Sequence, residues 1–284
     1  MLRPTDSSPL SRLMRRVDAA SDGKTAGDSF ATGFPSVDKW LGGGVRRGDL
    51  VCVGGEVGCG KSSLALAMAL RMARAGTSAA FLTAEMSVER VLERVLAIEG
   101  RVRVDEIRGG TLDDLTRASV GAAALRLRDN GPVLDVLPTR SPGAIGDLLR
   151  QSLDLEVAFI DPLQALALGE RPLEEDLASA VRALKQLAVE LDIAVVLTSH
   201  LGPSVPGRTD PRPTLDDFGA LGALKQHADV VMGIFREEMY RPDSGVEGAT
   251  ELLIRKNRNG NTGYVDLYFY KQWLRFEDML DPDR

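Results

Sequence analysis

From about residue 31 onward, short apolar runs alternate along the chain with stretches in which apolar residues recur every three or four positions. The apolar runs predict buried strands, and they lie at 50–53, 79–83, 133–137, 157–160 and 193–198. The stretches between them predict helices, which lie at 61–75, from about 88, and at 113–128, 143–153 and 174–191. Apolar strands separated by helices are typical of a mainly parallel sheet covered on both faces, so the sequence predicts an α/β fold.

The end of the chain has a different pattern. Apolar runs at 230–235, 251–254 and 264–270 predict three further strands. Turn-like or polar segments connect these strands, so we expect an antiparallel extension of the sheet.

Residues 1–30 form a separate predicted unit, a tail that precedes one large domain at 31–284. A helix that starts near Pro9 would have an apolar stripe along one face. The stripe consists of Leu10, Leu13, Met14 and Val17. The polar, glycine-containing segment 21–29 is typical of a linker. The stripe either docks on its own domain, frays, or docks on a neighbouring subunit, and periodicity alone leaves these alternatives open.

The composition narrows the class of protein and its partners. The 284 residues suit one large domain, and the fractions of 44% hydrophobic and 27% charged residues are ordinary for a globular protein. Lys and Arg total 35 against 41 Asp and Glu, which gives a formal net charge of -6. A surface dominated by positive charge is therefore excluded. Any nucleic-acid contact must come from a local patch, or from a ring or groove built by several subunits.

The content of cysteine and histidine limits the metal sites and indicates a compartment. The chain has only Cys52, Cys59, His200 and His227, so no zinc finger or ribbon can be assembled. A disulfide at Cys59 would disable the glycine-rich loop that contains it, so we expect a reducing cytoplasm. No apolar signal core and no uncharged run long enough to span a bilayer is found, so we expect no membrane association.

The segment 55–62 fits the P-loop pattern G-x4-G-K-[ST] completely, after a predicted strand and at the start of a predicted helix. Its glycines let backbone N–H groups cradle phosphate oxygens, Lys61 adds positive charge, and the Ser62 hydroxyl suits Mg²⁺. The sequence therefore predicts a site for ATP and Mg²⁺. The predicted nucleotide-binding residues are Gly55, Glu56, Val57, Gly58, Cys59, Gly60, Lys61, Ser62 and Ser63.

Two carboxylates follow predicted strands whose ends should meet at the ligand crevice. Asp161 follows the strand 157–160 and is predicted to hold the metal; the alternative is a simple strand-ending Asp. Glu85 follows the strand 79–83 and is predicted to orient or deprotonate the attacking water. Alternatively, Glu85 caps the helix that starts near Ser87, because acidic residues favour helix N-termini.

Two further groups could respond to the γ phosphate. His200 ends a predicted strand on the same edge and either senses the phosphate or is a structural, hydrogen-bonded histidine. His227 lies in a predicted helix, and we expect it to be structural. Lys256 and Arg258 lie at a tight turn, where they are either solvated or stabilise phosphate charge in trans, as an arginine finger does.

Together these ordered motifs resemble the superfamily 4 RecA-like hexameric helicases, a family that includes DnaB-type C-terminal motors, phage primase-helicase motors and Twinkle. The resemblance extends over nearly the whole chain from Thr32. Besides the P-loop, it rests on the segments 32–38, 82–87, 160–164, 199–201, 222–229, 256–260 and 272–276. His200 is closer to the phage type, which uses His as a sensor, whereas DnaB-type proteins usually have Gln there.

The resemblance implies a RecA-like P-loop fold and a ring, usually of six subunits, with ATP at the subunit interfaces. Lys256 and Arg258 would then act on the nucleotide of a neighbour, and the apolar stripe of the tail would be the linker helix that latches neighbouring subunits. The implied partners are single-stranded DNA, further copies of the chain, and replication or loader proteins.

One departure from the family pattern concerns DNA. DnaB-type enzymes usually carry an Arg-Glu pair where this chain has Phe-Gly-Ala-Leu at 218–221, so a basic side chain is missing there. Backbone N–H groups near Gly222, and the side chains of Arg208, Arg212 and Lys225, are the remaining candidates for phosphate contacts.

The leading hypothesis is therefore a Mg²⁺-dependent ring ATPase that translocates on single-stranded DNA and unwinds duplex. The alternatives are a RecA-like ATPase without unwinding, as among KaiC and RadA relatives, and a nucleotide-gated scaffold. The segment 41–44 resembles one that those relatives also carry, so it does not separate the hypotheses.

Overall fold

The computed structural model describes residues 9–22, 28–137, 140–152, 154–202 and 208–279. The helices are α1 (Pro9–Ser21), α2 (Pro35–Leu41), α3 (Lys61–Arg74), α4 (Val88–Gly100), α5 (Val104–Gly109), α6 (Asp114–Asn130), α7 (Pro142–Gln151), α8 (Leu173–Leu191) and α9 (Ala223–His227). The strands are β1 (Ser29–Phe30), β2 (Val45–Arg46), β3 (Leu50–Gly55), β4 (Ala79–Thr83), β5 (Val133–Val136), β6 (Val157–Asp161), β7 (Ala194–His200), β8 (Val230–Phe235), β9 (Ala249–Asn257), β10 (Gly263–Tyr270) and β11 (Arg275–Asp278). None of the helices in these ranges is long and apolar enough to cross a membrane.

Nine strands form one sheet in the order β11-β10-β9-β8-β3-β7-β6-β4-β5. The strands from β8 to β5 in this order are parallel to their neighbours, and β9, β10 and β11 continue the sheet in antiparallel pairs. The short strands β1 and β2 pair separately. The structure confirms the predicted α/β class, the parallel core and the antiparallel extension.

Both faces of the parallel core are covered, which explains why its strands are uninterrupted apolar runs. Along β3, Val51 and Val53 join one hydrophobic cluster, which includes residues of α3 and α4. Leu50 and Cys52 join the other cluster, which includes residues of α7 and α8. Successive side chains of a strand point to opposite faces, so β3 contributes to both clusters in turn.

The sequence pattern does not predict α2, because seven residues are too few to show a helical period. Pro35 occupies its first turn, and Gly42 ends it in the left-handed conformation with φ of 67°. The helix carries Trp40 to the antiparallel extension, where a Cβ on Gly263 would lie 2.3 Å from the indole ring. The glycine therefore lets Trp40 pack directly against the backbone of β10.

The helix α1 has its apolar stripe exposed. Leu10 is 67% exposed, and Leu13, Met14 and Val17 are 46%, 49% and 49% exposed. A helix thus forms where the tail was expected to have one, but the single chain leaves the stripe open to solvent. Most of the predicted linker, residues 23–27, lies outside the described residues. Docking of the stripe and the division of the chain at residue 30 therefore stay predictions.

Candidate active site

The sheet brings the predicted site residues together at the carboxyl ends of its parallel strands. Gly55 at the end of β3 is level with His200 at the end of β7. Thr83 at the end of β4 is level with Asp161 at the end of β6, and Glu85 follows two residues later. Because β3, β7, β6 and β4 are consecutive in the sheet, the P-loop, the two carboxylates and the histidine line one crevice.

The P-loop takes its shape from glycines, some in the left-handed conformation and some without room for a side chain. Gly58 and Gly60 have φ of 81° and 107°, in the left-handed region. A Cβ on Gly55 would lie 2.5 Å from the Cys59 sulfur, and one on Gly60 would lie 2.8 Å from the Phe276 ring. No side chain caps the start of α3, so the positive end of its dipole faces the loop. This arrangement suits a phosphate group.

Lys61 is folded back onto the loop that precedes it. Its Nζ donates to the carbonyl oxygens of Gly55 and Glu56, both at 2.9 Å, and the residue is only 6% exposed. A buried ammonium is stable only when its donors are satisfied. The two carbonyls therefore hold the cation at the crevice, where phosphate oxygens could exchange with them.

Asp161 is the buried carboxylate of the crevice. Its Oδ1 accepts hydrogen bonds from the hydroxyls of Ser62 at 2.9 Å and Thr198 at 2.5 Å. Its Oδ2 is buried and has no hydrogen-bond partner. Burial, reinforced by the nearby charge of Glu85, raises the pKa of Asp161 above its ordinary value, although Thr198, Ser62 and Lys61 oppose the shift. When Asp161 is ionised, one of its two carboxylate oxygens therefore lacks a hydrogen-bond donor.

These oxygens fit a magnesium ion. Mg²⁺ prefers hard oxygen ligands and usually binds through one or two carboxylates, waters and substrate phosphates. The unpartnered Oδ2 of Asp161 and the Ser62 hydroxyl supply such oxygens beside the P-loop. Thr198, which sequence reasoning missed, orients this carboxylate. Its only signal is a hydroxyl in the otherwise apolar run 193–198.

Glu85 is free for chemistry because another residue caps the following helix. The N-cap of α4 is Ser87, whose Oγ accepts from the Arg90 N–H at 3.4 Å. The Glu85 backbone N–H donates to Thr83 Oγ1, which fixes the bend after β4. Its side chain is 51% exposed, and Oε1 lies 3.8 Å from His200 Nε2. The geometry therefore favours the crevice role of Glu85 over the capping role.

Gln164 ties the loop after β6 to the end of β7. Its Oε1 accepts from the His200 N–H at 3.0 Å, and its Nε2 donates to Ser199 Oγ at 3.1 Å. This amide fixes the backbone of His200, while the buried Nδ1 of the histidine has no partner. The resemblance included Gln164 in a motif, but the residue pattern alone gave it no role.

Lys256 and Arg258 lie beside the amino-terminal ends of the parallel strands, whereas the P-loop of their own chain follows the carboxyl end of β3. Asn257 is level with Val230 of β8, which is level with Val51 of β3. The P-loop begins at Gly55, four residues further along β3, a rise of roughly 13 Å at about 3.3 Å per residue. Both residues therefore lie at the far end of the parallel strands from the crevice that their own chain builds.

Main-chain carbonyls at the end of α9 hold both cations. Lys256 Nζ donates to the carbonyls of Lys225, Gln226 and Ala228, at 2.8, 3.3 and 2.5 Å. Arg258 donates to the carbonyl of Gln226 at 2.9 Å and to Asp229 at 3.0 Å. Burial, and next the positive charge of Arg258, lowers the pKa of Lys256.

The three cations predicted to contact DNA are each paired with a carboxylate. The pairs are Arg208–Asp217, Arg212–Glu251 and Lys225–Asp216, with N–O distances of 2.6, 2.5 and 2.8 Å. Arg212 also lies over the ring of Phe235 at 4.6 Å. The first two pairs fix the described part of the proline-rich loop, and Pro203 and Pro206 lie outside the described residues. Contacts with phosphate would require an exchange of partners, so this role stays a prediction.

The segment 218–222 explains the missing basic side chain. Phe218 is 2% exposed, and a Cβ on Gly54 would lie 2.3 Å from its ring, so this residue packs under the strand of the P-loop. The Leu221 N–H donates to a carboxylate oxygen of Glu174 at 3.2 Å. Gly222 follows with φ of 74°. The first position of the segment is therefore part of the core, not a surface contact.

The chain matches the family model of the DnaB-like helicase C-terminal domain over residues 29–278. Two curated relatives are named replicative DNA helicase DnaB. That of Geobacillus stearothermophilus is 31% identical over 265 residues, and that of Leifsonia xyli is 32% identical over 264 residues. Each alignment covers 91% of this chain but only 58% and 57% of the relatives. The chain thus spans less than two thirds of these proteins.

Solved structures show the same RecA-like fold. One of them, described as an ATPase domain, has a TM-score of 0.87 and 23% identity, covering 98% of this chain and all of the other. A DnaB-like replicative helicase, described with its interactions with primase, has a TM-score of 0.85 and 23% identity, covering 99% and 68%. A KaiC-like protein from Pyrococcus horikoshii has a TM-score of 0.62 and 15% identity, covering 89% and 99%.

The unsatisfied charge of Asp161 predicts an unusual response to mutation. When the pKa of a carboxyl is raised in the folded state, the folded chain becomes less stable as the pH rises from the unfolded pKa through the folded pKa. Ionised Asp161 therefore destabilises the folded chain at neutral pH. Asp161→Asn keeps an oxygen for both hydroxyl donors and removes the charge. We expect its melting temperature, measured with EDTA and without nucleotide, to exceed that of the wild type.

Asp217 supplies the matched control. Burial raises the pKa of this carboxyl, but hydrogen bonds from Arg208 and Thr214 outweigh burial and bring the pKa below its ordinary value. Asp217→Asn should therefore lower the melting temperature, the opposite direction from Asp161→Asn. A melting temperature of Asp161→Asn below that of the wild type would contradict the account of the crevice.

Proposed function

The chain belongs to the DnaB-like helicase C-terminal domain family, and from this premise we propose that it is a Mg²⁺-dependent ATPase motor that works as a ring on single-stranded DNA. The observation that supports the proposal is that the predicted site residues lie at opposite ends of the parallel strands. The P-loop, Asp161 and Glu85 lie at the carboxyl ends of the parallel strands, and Lys256 and Arg258 lie beside their amino ends. If both sets act on one nucleotide, a second subunit would have to bring them together.

In the proposed reaction, water attacks the γ phosphate of ATP in line. Lys61 leaves the carbonyls of Gly55 and Glu56 for phosphate oxygens, which carry more negative charge. Glu85 orients the water or accepts its proton, and its exposed carboxylate is free to do so. His200, whose Nε2 lies 3.8 Å from Glu85 Oε1, would respond when the γ phosphate is lost. Ser62 and Asp161 would hold Mg²⁺, which supplies positive charge to the phosphates when bound.

Arg258 of a neighbouring subunit would complete the site. An arginine that reaches the transferring phosphoryl group stabilises the charge of the transition state, often by several orders of magnitude in rate. Lys256 would support it at the same turn. The ring that results would be a homo-oligomer, with six subunits as the expected size, and the exposed stripe of α1 would latch neighbours.

Single-stranded DNA is the proposed track of the motor, bound near Gly222 and Lys225. The net charge of -6 favours a narrow contact over a broad basic surface. α9 carries Lys225 and ends on the carbonyls that hold Lys256 and Arg258. The short helix α9 thus carries the proposed DNA contact and also binds the side chains of the proposed finger. Replication or loader proteins, and a cytoplasmic location, complete the proposal.

A second candidate is a RecA-like ATPase without unwinding. Its support is the pairing of Arg208, Arg212 and Lys225 with carboxylates, and the occupation of the Leu221 N–H by Glu174. In this state the described side chains predicted to contact DNA already have partners. A nucleotide-driven assembly without strand separation would need none.

A strand-displacement assay with forked DNA separates the two candidates. The motor proposal predicts ATP-dependent strand separation and a turnover of ATP that single-stranded DNA stimulates. Lys61→Ala, which removes the charge from the P-loop, is the control and should abolish both activities. ATP hydrolysis without strand separation would instead favour the second candidate.

The role of Glu85 yields a separate prediction. Glu85→Gln keeps the size and a hydrogen-bonding group but removes the basic carboxylate. We expect kcat to fall roughly 10²- to 10⁴-fold, the usual contribution of general acid–base catalysis. Because the P-loop is untouched, the affinity for a fluorescent ATP analogue should stay within about twofold of the wild type. Phosphate release and fluorescence titration measure the two quantities, and an unchanged kcat would eliminate Glu85 as the base.

A further inference from the structure

Asp229 is a buried carboxylate at the foot of the turn that carries Arg258. Its side chain is 6% exposed and precedes β8. Oδ2 accepts from the Leu50 N–H at 2.8 Å and from Lys185 Nζ at 2.6 Å. Oδ1 accepts from Arg258 Nη1 at 3.0 Å. One carboxylate therefore joins the start of the P-loop strand, a lysine of α8 and the proposed finger.

The backbone fixes Asp229 as firmly as its side chain does. The Asp229 N–H donates to the carbonyl of Leu50 at 2.8 Å, and the Arg258 N–H donates to the carbonyl of Asp229 at 2.9 Å. Beside them, Asn259 Nδ2 donates to the carboxylate of Asp49 at 2.7 Å. The carboxylate thus sits at a fixed place relative to both β3 and the turn.

The guanidinium of Arg258 is held on one side and open on the other. Nη1 binds Asp229, Nη2 binds the carbonyl of Gln226, and the side chain remains 50% exposed. A guanidinium has five donor hydrogens, so two anchoring contacts leave others for a second acceptor. An arginine that is already oriented loses less rotamer entropy when it meets a phosphate.

We propose that Asp229 is the positioning residue of the Arg258 finger, fixing the direction in which the guanidinium projects toward the nucleotide of the neighbouring subunit. This inference rests on the proposed function, because it requires Arg258 to act in trans. The carboxylate of Asp229 has no direct chemical role in this proposal. It acts through Arg258 alone, and it ties the finger to the same strand that ends in the P-loop.

The competing explanation is that Asp229 only neutralises Lys185. Both cations bind the same carboxylate, but only Arg258 belongs to the proposed active site. Lys185→Met removes the ammonium and leaves Asp229 bonded to Leu50 and Arg258. A purely structural carboxylate predicts the same consequences for Lys185→Met and Asp229→Asn. A positioning carboxylate predicts different ones.

The test is a double-mutant cycle of Asp229→Asn and Arg258→Ala in the full chain, with Lys185→Met as the control. Readouts are kcat and KM for ATP, affinity for a fluorescent ATP analogue, melting temperature, and ring mass by native mass spectrometry. Asp229→Asn should lower kcat roughly 10- to 100-fold, the scale of a small misplacement of a catalytic group. Nucleotide affinity and ring mass should not change. In the Arg258→Ala background, Asp229→Asn should cause no further loss of kcat.

Lys185→Met should lower the melting temperature while kcat stays within about twofold of the wild type. If Asp229→Asn does not fold, Asp229→Asn combined with Lys185→Met removes both buried charges and takes its place in the cycle.

The outcomes distinguish a failure of the trans-acting finger from a failure of the positioning role of Asp229. If Arg258→Ala keeps the turnover of the wild type, the trans-acting finger fails, and the positioning role fails with it. If Arg258→Ala loses turnover but Asp229→Asn keeps it, only the positioning role fails. An additive loss in the double variant, or an equal loss of kcat in Lys185→Met, would likewise overturn the role of Asp229.

Discussion

The polarity of β3 is the constraint on which the rest of the structure depends. A parallel strand presents its carboxyl end to the ligand crevice and its amino end to the opposite edge. In β3 the carboxyl end runs into the P-loop, and the amino end begins at Leu50, which is bonded to Asp229. Because β9 runs antiparallel to β8, its carboxyl end places Lys256 and Arg258 beside the amino ends of the parallel strands. Under the proposed function, a chain built this way would hold both halves of an ATPase site but could not close one alone.

The placement of charge follows the same division. At the crevice, Asp161 has a buried oxygen without a partner, and Lys61 is satisfied only by loop carbonyls, so the folded chain retains capacity for a metal and for phosphates. Away from the crevice, Arg208 and Arg212 are paired with carboxylates. Natural proteins commonly give up stability where a site must bind something else. Asp217 and Glu251, for example, fix the described part of the proline-rich loop through these pairs.

Sequence reasoning succeeded where the signal is local. The strands, the P-loop, and the carboxylates Glu85 and Asp161 each follow from a short run of residues, and the structure has those elements. It failed where contacts join distant parts of the chain. Asp161 meets Thr198 across 37 positions, and Arg212 meets Glu251 across 39. No periodicity in a single sequence encodes such pairs. The pattern alone therefore could not tell a DNA-contact arginine from one already neutralised.

The central claim is that one active site is assembled from two subunits, and mixed rings test it most directly. Lys61→Ala lacks a working P-loop but keeps the finger, whereas Arg258→Ala keeps the P-loop but lacks the finger. After subunit exchange, verified by native mass spectrometry, some interfaces pair the intact half of one variant with the intact half of the other. The account predicts that two preparations, each inactive alone, regain ATP turnover when mixed. Mixed rings that form and remain inactive would contradict it.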